Sequence, residues 1–361
     1  MKEKLKNDLT RLLDKEYGYL NAGFPRFMRL FGRDSLISSW QLLEINQEIA
    51  KATLEILAKL QGKKIDEISE EEPGKILHET HPKLSPYYGS IDSTPLFIII
   101  CSFYLEKTNN HKFLKIHRSN IESAVKWLVQ KIKTDKSGFL RYQRKQEKGQ
   151  LFHQGWKDSF VNHLKIEPPV AIVEAQGYSY LAFKKAGQML ENGKYSQLAE
   201  QLKKRFEEKF WMAEKNYFAL ALDGQENQKQ TITSNPGHLL FCEILEKEKQ
   251  EAVVKKLFSP ELWTRYGIRT HGLGEPDFDA ESYHLGSVWP HDNWIIAQGL
   301  KRCGYPAEYQ KVKNAILTAH KELGHIPEFY AVFPDGQLKE IPKACSIQAW
   351  ALGAALQFIT E

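Results

Sequence analysis

Apolar residues recur along this chain every three or four positions over long stretches and rarely alternate one by one with polar ones. That pattern predicts helix after helix and an all-α class. Two kinds of helix are predicted. Segments 45–61, 113–134, 192–210, 247–258 and 306–323 carry one apolar stripe on a charged surface, as with Ile121, Val125, Leu128, Val129 and Ile132. Such helices bury a single face. Between them lie TPLFIIICSFYL (94–105), VAIVEAQGYSYLAF (170–183), VWPHDNWIIAQGL (288–300) and ACSIQAWALGAAL (344–356), which are apolar or small nearly all round. Helices of that kind are enclosed by protein. The alternation predicts helical hairpins, with an inner ring of buried helices and an outer ring of amphipathic ones.

The loops fit the same scheme. Polar, Gly- or Pro-punctuated stretches with aromatics recur at LFGRDS (30–35), YYGSIDSTP (87–95), QGWKDS (154–159), TSNPGH (233–238), YHLGSVWPHDN (283–293) and GHIPEFY (324–330). Their spacing divides the chain into about six hairpins. The expectation is one closed α/α toroid over residues 1–361, a single domain with these loops gathered round one mouth. Connections 62–90 and 259–286 carry little helical pattern, and long structured loops in a compact domain are often functional.

Composition narrows the class. With 42% hydrophobic and 12% aromatic residues in 361, the chain can bury a large core, which excludes disorder. No run reaches the 18 or more apolar residues of a membrane span, and the opening 1–21 reads as a polar amphipathic helix without a secretory apolar core. The expected setting is cytoplasmic, away from membranes. Cys101, Cys242, Cys303 and Cys345 are far apart and form no metal-binding spacing, so buried free thiols are expected. The net charge of +5 arises largely from lysines interleaved with glutamates, as in EILEKEKQEAVVKK. That is a solvated helix face rather than a nucleic-acid surface.

No Walker loop, GxGxxG, GxSxG or HExxH is present. What remains is a set of carboxylates, aromatics and a few basic groups in the mouth loops, the equipment of a glycosidase, in which one carboxylic acid protonates the leaving oxygen and a second carboxylate activates water or attacks carbon. Asp158 of QGWKDS and Glu328 of HIPEFY are the best pair. Trp156 and the local turn can shield Asp158 and raise its pKa. Pro327 and the flanking aromatics fix Glu328. The competing reading of a loop Asp is turn capping.

The run AGFPRFMRLFGRDSLISSWQLL, followed in order by EEPGKILHE, YYGSIDSTPLF, QGWKDS, VAIVEAQGYSYLA, TSNPGHLLF, GIRT, SYHLGSVWPHDNWIIA, IPEFYA and PKACSIQAWALGA, resembles the catalytic region of bacterial and archaeal amylo-α-1,6-glucosidases. These belong with the six-hairpin glycoside hydrolases. The resemblance implies an (α/α)6 barrel and an inverting α-glucosidase with no metal or organic cofactor, acting on a carbohydrate substrate. It makes Asp158 the general acid and Glu328 the general base. Arg33 and Asp34 would clamp sugar hydroxyls, with Trp156 or Trp289 as a stacking floor. Lys157, Glu174, Gln176, His291 and Asp292 would be further hydroxyl partners, and Tyr88 and Asp92 would line the same pocket.

Each of these residues also has a plain structural alternative. Arg33 and Asp34 can pair at a helix start. Glu174 and Gln176 can belong to an internal hydrogen-bond network. Asp92 can cap the helix starting near Thr94, and His291 can be a satisfied core histidine. Asn235 and His238 can reach the mouth or cap a turn, and Asp277 and Asp279 read as solvated charges. Two departures from the family pattern matter. Arg26 in AGFPRF stands where the pattern has an aromatic, which bears on the outer subsites. Only about twenty residues precede the first motif, so the N-terminal β-rich domain common in the family is expected to be absent. A short oligosaccharide or a small compatible-solute glucoside is then a substrate candidate beside glycogen. Two rivals stay open: a phosphorolytic relative, against which Glu328 argues, and a non-catalytic sugar-binding or scaffold barrel. The oligomeric state is not legible.

Overall fold

The structure is a computed structural model that describes residues 2–81 and 84–361. Its helices are α1 (Lys2–Leu12), α2 (Gly32–Gln41), α3 (Gln47–Lys59), α4 (Ser93–Thr108), α5 (His111–Thr134), α6 (Val173–Met189), α7 (Gly193–Phe210), α8 (His238–Cys242), α9 (Lys247–Leu257), α10 (Pro290–Arg302), α11 (Pro306–Leu323) and α12 (Ala349–Thr360). The even-numbered helices pack in sequence, α2 on α4, α4 on α6, α6 on α8, α8 on α10 and α10 on α12, and α12 returns to α2. That closes a ring of six. Outside it, α1 packs on α12, α3 on α2, α5 on α4, α7 on α6 and α11 on α10, while α9 lies against the 3-10 turn Asn235–Gly237 that leads into α8. This is the (α/α)6 barrel that the alternating pattern predicts.

Burial follows the apolar pattern. Every residue of α4 from Ser93 to Tyr104 is buried, and so is α12 from Ala349 to Phe358. The outer α5 buries Ile121, Val125, Leu128 and Ile132 and leaves its lysines outside. The α4–α5 turn is set by Asn109 in the left-handed region (φ 52°) and by the Asn110 side chain, which accepts from the Phe113 amide. Inner helices approach closely where side chains vanish: a Cβ on Gly299 of α10 would come within 2.4 Å of the Phe241 amide nitrogen in α8.

Two inner helices escape the hydrophobic pattern. In α2 the buried Ser38, Ser39 and Gln41 return their hydrogen bonds to the carbonyls of Asp34, Leu36 and Trp350, so a polar sequence is buried with its donors paired. The other, α8, has five residues, too few for a period. The near absence of strand also needs correction. Short strands of two to four residues pair in small sheets, among them Gly23–Phe24 with Ile347–Gln348 and Ala171–Ile172 with Ala221–Leu222. Two of these occupy the expected starts of helices, which therefore begin at Val173 and Ala349. Two-residue strands carry no readable alternation.

The first turns of neighbouring inner helices meet at one end of the ring. Arg33 of α2 bonds Asp92 at the start of α4, Gln348 before α12 bonds Asp34 of α2, and His238 of α8 bonds Asp292 of α10. Positive helix ends thus converge on the mouth and favour negative charge there. Among the described residues, no helix is long and apolar enough to cross a membrane. Cys101, Cys242 and Cys345 are buried, Cys303 is half-buried, and all four are unpaired thiols.

Candidate active site

A cavity of about 800 Å³ opens at this mouth. Its walls include Asp158 and Glu328, with Arg33 and Asp34 from the first turn of α2 and the rings of Trp156, Trp289 and Trp350. Loops that lie more than a hundred residues apart in sequence therefore supply its carboxylates, as the toroid predicts.

Arg33 organises one wall. Its guanidinium donates to both Asp92 oxygens at 3.0 and 3.1 Å and to Asp158 Oδ2 at 2.5 Å. Asp158 keeps 26% of its side chain open, but the opening faces a concave cavity rather than bulk water. Burial therefore outweighs the Arg33 ion pair and pushes Asp158 up to about 6. A carboxyl of that kind is protonated up to about pH 6, well above the ordinary carboxylate range, and can give its proton away. His78 Nε2 lies 3.9 Å from Asp158. Burial, reinforced by Arg33, holds that imidazole well below its usual range, so it is neutral.

Glu328 sits on another wall, anchored from two sides: Tyr283 Oη donates to Oε1 at 2.5 Å and the Cys345 amide to Oε2 at 2.8 Å. Burial raises its pKa, while these donors and Arg26, whose Nη2 is 3.8 Å from Oε2, oppose the rise. Two donors fix the carboxylate's orientation and leave lone pairs for a water proton.

Asp34 accepts from Gln348 Nε2 at 3.3 Å, and burial pushes it up to about 7. Because its folded pKa exceeds the ordinary carboxylate value, folding favours the protonated form, and stability is lost as pH rises from about 4 to about 7. Asp34→Asn, which cannot ionise, is expected to gain in thermal stability over the parent between pH 4 and pH 8, by up to about 4 kcal/mol. A melting-temperature gap that stays constant across that range would show that Asp34 is not strained by ionisation.

Of the remaining expected site residues, Trp156 and Trp289 line the cavity, their ring centroids 5.8 Å apart. The others do not reach it. Tyr88 donates to the Leu60 carbonyl at 2.7 Å, and Tyr87 faces the cavity in its place; side chains alternate sides in extended chain, so a one-residue difference exchanges the faces. Asp92 stands at the start of α4 but caps nothing, being held by Arg33 and Ser90. Among the described residues Arg33 and Asp34 share no hydrogen bond or ion pair, although the Arg33 charge opposes the effect of burial on Asp34. Lys157 donates to the Thr270 carbonyl at 2.6 Å. Gln176 is consumed by the Leu140 amide and the Leu140 and Ile172 carbonyls. His291 stacks on Trp350, centroids 3.7 Å apart, and Asp292 accepts from His238, which also bonds Tyr178. Glu174 is buried beside Asn235, close enough for the amide to lower its pKa, yet neither oxygen meets full hydrogen-bond geometry; desolvation prevails and raises it. These groups form a polar layer beneath the aromatic floor. Asp277 is not a free surface charge, since it accepts from His271 at 2.8 Å.

The cavity also uses Arg26, Phe27, His78, Tyr87, Tyr283, Gln348 and Trp350. Arg26 stands out in the sequence as the departure from an aromatic, and Tyr283 and Gln348 lie inside motifs noted for other residues. His78 and Tyr87 also lie inside quoted motifs, EEPGKILHE and YYGSIDSTPLF, in the long connection 62–90, though no spacing rule singles out either side chain. Among the described residues, no group of three or more His, Cys, Asp or Glu is arranged to hold a metal ion.

A ring of six inner helices with this carboxylate-lined mouth defines the six-hairpin glycosidase fold. The chain belongs to the amylo-alpha-1,6-glucosidase family, whose model matches residues 6–357. It is similar to a mannosylglycerate hydrolase of Selaginella moellendorffii, 35% identical over 91 residues, which are 25% of this chain and 18% of that protein. A mannosylglycerate hydrolase of Rubrobacter radiotolerans is 26% identical over 136 residues, 35% of this chain and 28% of that protein. The similarity thus spans under a third of these relatives' length. The GH63 mannosylglycerate hydrolase of Thermus thermophilus, solved in complex with glucose, superposes with a TM-score of 0.76 at 15% identity, covering 100% of both chains. A rhamnosidase of Klebsiella oxytoca with rhamnose bound gives 0.67 at 13% identity over 98% of this chain and 62% of that one. These two structures bear on fold alone.

Proposed function

We propose that this chain is an inverting glycoside hydrolase that removes one terminal α-linked hexose from a small aglycone bearing a carboxylate. The observation that carries the reading is the cavity itself, with Asp158 and Glu328 on its walls and Arg26 beside Glu328 at its rim. Residues 1–361 then act as a single catalytic domain.

In this mechanism Asp158 gives its proton to the glycosidic oxygen as the bond to the anomeric carbon breaks. Glu328 takes a proton from the water that attacks that carbon from the opposite face, and the configuration inverts. The sugar and the alcohol leave, and each carboxyl resets its proton with solvent. Trp156 and Trp289 offer faces to the ring, and the Arg33, Asp34 and Gln348 side chains offer donors and acceptors to its hydroxyls.

Arg26 supports an anionic aglycone. Its neighbour Arg29 is held by Glu79 at 2.6 Å, whereas among the described residues Arg26 has the Glu328 contact at 3.8 Å, the Cys345 sulfur at 4.0 Å and the Phe27 ring at 5.5 Å. With 45% of its side chain exposed, it has donors left for a planar carboxylate. The curated relatives named above are mannosylglycerate hydrolases, and glycerate carries such a group. The family resemblance favours glucose, those relatives mannose. The test is a panel of α-mannosyl and α-glucosyl glycerates with neutral α-glucosides such as isomaltose, following the first-released anomer by NMR. A β-anomer from a glycerate glycoside is expected. Release of the α-anomer first, or binding with no turnover of any member, overturns the reading.

Arg26→Ala should raise KM for a glycerate glycoside about 10- to 100-fold, the worth of a hydrogen bond to a charged group. KM for a neutral α-glucoside should change less than about twofold by the same reasoning. An equal effect on both substrates would remove Arg26 from aglycone recognition.

A further inference from the structure

A second cavity, about 580 Å³ in volume, lies between the connection 65–75, the α5 helix and the segment 141–145, away from the catalytic carboxylates. Its walls are rich in charge, and most of that charge is already used. Glu70 accepts from Tyr87 Oη at 2.6 Å and from Gln154 Nε2 at 3.0 Å. Glu71 accepts from the Lys63 amide at 2.7 Å, Glu72 from Trp127 Nε1 and Lys131 Nζ, and Arg141 is held by Asp135 and Glu226.

Lys75 is different. It is 5% exposed and lines this cavity, yet among the described residues its ammonium makes a single hydrogen bond, a long one of 3.3 Å to the Glu70 carbonyl. An ammonium carries three donors, and a buried charge left short of partners is costly. Burial outweighs the neighbouring glutamates and lowers Lys75 to about 8, so it is still charged at neutral pH. Lys145 adds a second cation at the rim.

We propose that this cavity is a binding site for a small hydroxylated anion, whose carboxylate or phosphate takes the unused donors of Lys75. The volume admits a molecule up to the size of a hexose phosphate. Its wall is shared with the catalytic cavity: Ile68 and Ser69 face that cavity, while Glu67 and Glu70 face this one. Glu70 in turn holds Tyr87, which lines the catalytic cavity, and Gln154, four residues before Asp158. An occupant here is therefore coupled to the catalytic wall through one carboxylate.

The test is calorimetric titration of the full chain at pH 7 and low salt with inorganic phosphate, D-glycerate and glucose 6-phosphate, which separates phosphate from carboxylate recognition. D-glycerate, whose carboxylate Arg26 also takes in the aglycone reading, is titrated in the Arg26→Ala chain. Saturable millimolar or tighter binding of at least one probe is expected, weakened tenfold or more by Lys75→Met and, for phosphate and glucose 6-phosphate, unchanged by Arg26→Ala. Lack of saturation by all three probes, or binding that survives Lys75→Met, overturns the site. Loss of binding in Arg26→Ala assigns the anion to the catalytic cavity and also overturns it. Should Lys75→Met fail to fold, the Arg26→Ala chain decides. D-glycerate keeps its charge from pH 7 to 9.5, so its binding there must fade as Lys75 loses its proton, and binding that stays flat with pH refutes the proposal. Neither readout depends on turnover, so the site can fail while the hydrolase reading stands.

Discussion

Asp158→Asn and Glu328→Gln are each expected to lower kcat on the natural glycoside by about 1,000-fold, within the range of about 100 to 10,000 that general acid–base catalysis contributes. The two losses should differ in kind. A glycosyl fluoride departs without protonation, so Asp158→Asn should recover most of its activity on the α-fluoride of the correct sugar. Glu328→Gln should not, because water still has to be activated. Melting temperatures of both variants should stay near or above the parent's, since each change removes a carboxylate that burial already holds above its ordinary pKa. If both variants hydrolyse the natural substrate at parental rates, the assignment fails; if both lose the fluoride equally, the acid and base roles are wrong.

The same two groups set the shape of the pH profile. The base must be ionised and the acid protonated, so kcat/KM rises as Glu328 loses its proton and falls as Asp158 loses its own, near pH 6 in the free protein. Both carboxyls are raised by burial, but their surroundings separate them. Glu328 receives bonds from Tyr283 and the Cys345 amide that favour the charged form, while among the described residues Asp158 has Arg33 for comparable help. Two acids in one cavity, pushed to different extents, suit a division into donor and acceptor.

The toroid was legible because the ring imposes a two-sided burial that apolar helices such as α4 and α12 display in their sequence, while outer helices such as α5 need one stripe. What stayed hidden was polar burial. The buried Ser38 and Ser39 of α2 bond their own helix backbone and Ser35 the Leu20 carbonyl, and nothing in their spacing separates that from exposure. The site divides similarly. Arg33, Asp34, Trp156, Asp158, Trp289 and Glu328 sit in short loops and first turns whose position follows from the ring, and they reach the cavity. Gln176 and Asp292 sit on the same helix ends, but their side chains turn down to the Leu140 backbone and to His238, a choice of direction that sequence does not encode. Tyr87 displaces Tyr88 through a register of one residue, and His78 enters from a long connection with no period to follow.

Arg33→Met should be the most destabilising single change at the site. The guanidinium is 3% exposed and faces a fully buried Asp92, for which the remaining side-chain donor is Ser90 Oγ at 2.7 Å. Removing one partner of a buried pair costs about 3 to 5 kcal/mol, because the other charge is left unpaired. In a chain of this size that corresponds to a melting-temperature loss on the order of 5 °C. The double variant Arg33→Met/Asp92→Asn removes both charges and should regain most of the loss, which distinguishes an orphaned charge from a packing defect. The catalytic profile should move as well. Arg33 lowers the Asp158 pKa against burial, so without it the Asp158 proton is held to higher pH, and the alkaline limb shifts upward from about 6. A double variant no more stable than the single would show that Arg33 acts through shape rather than charge, and an unmoved alkaline limb would mean that a group other than Asp158 carries the proton.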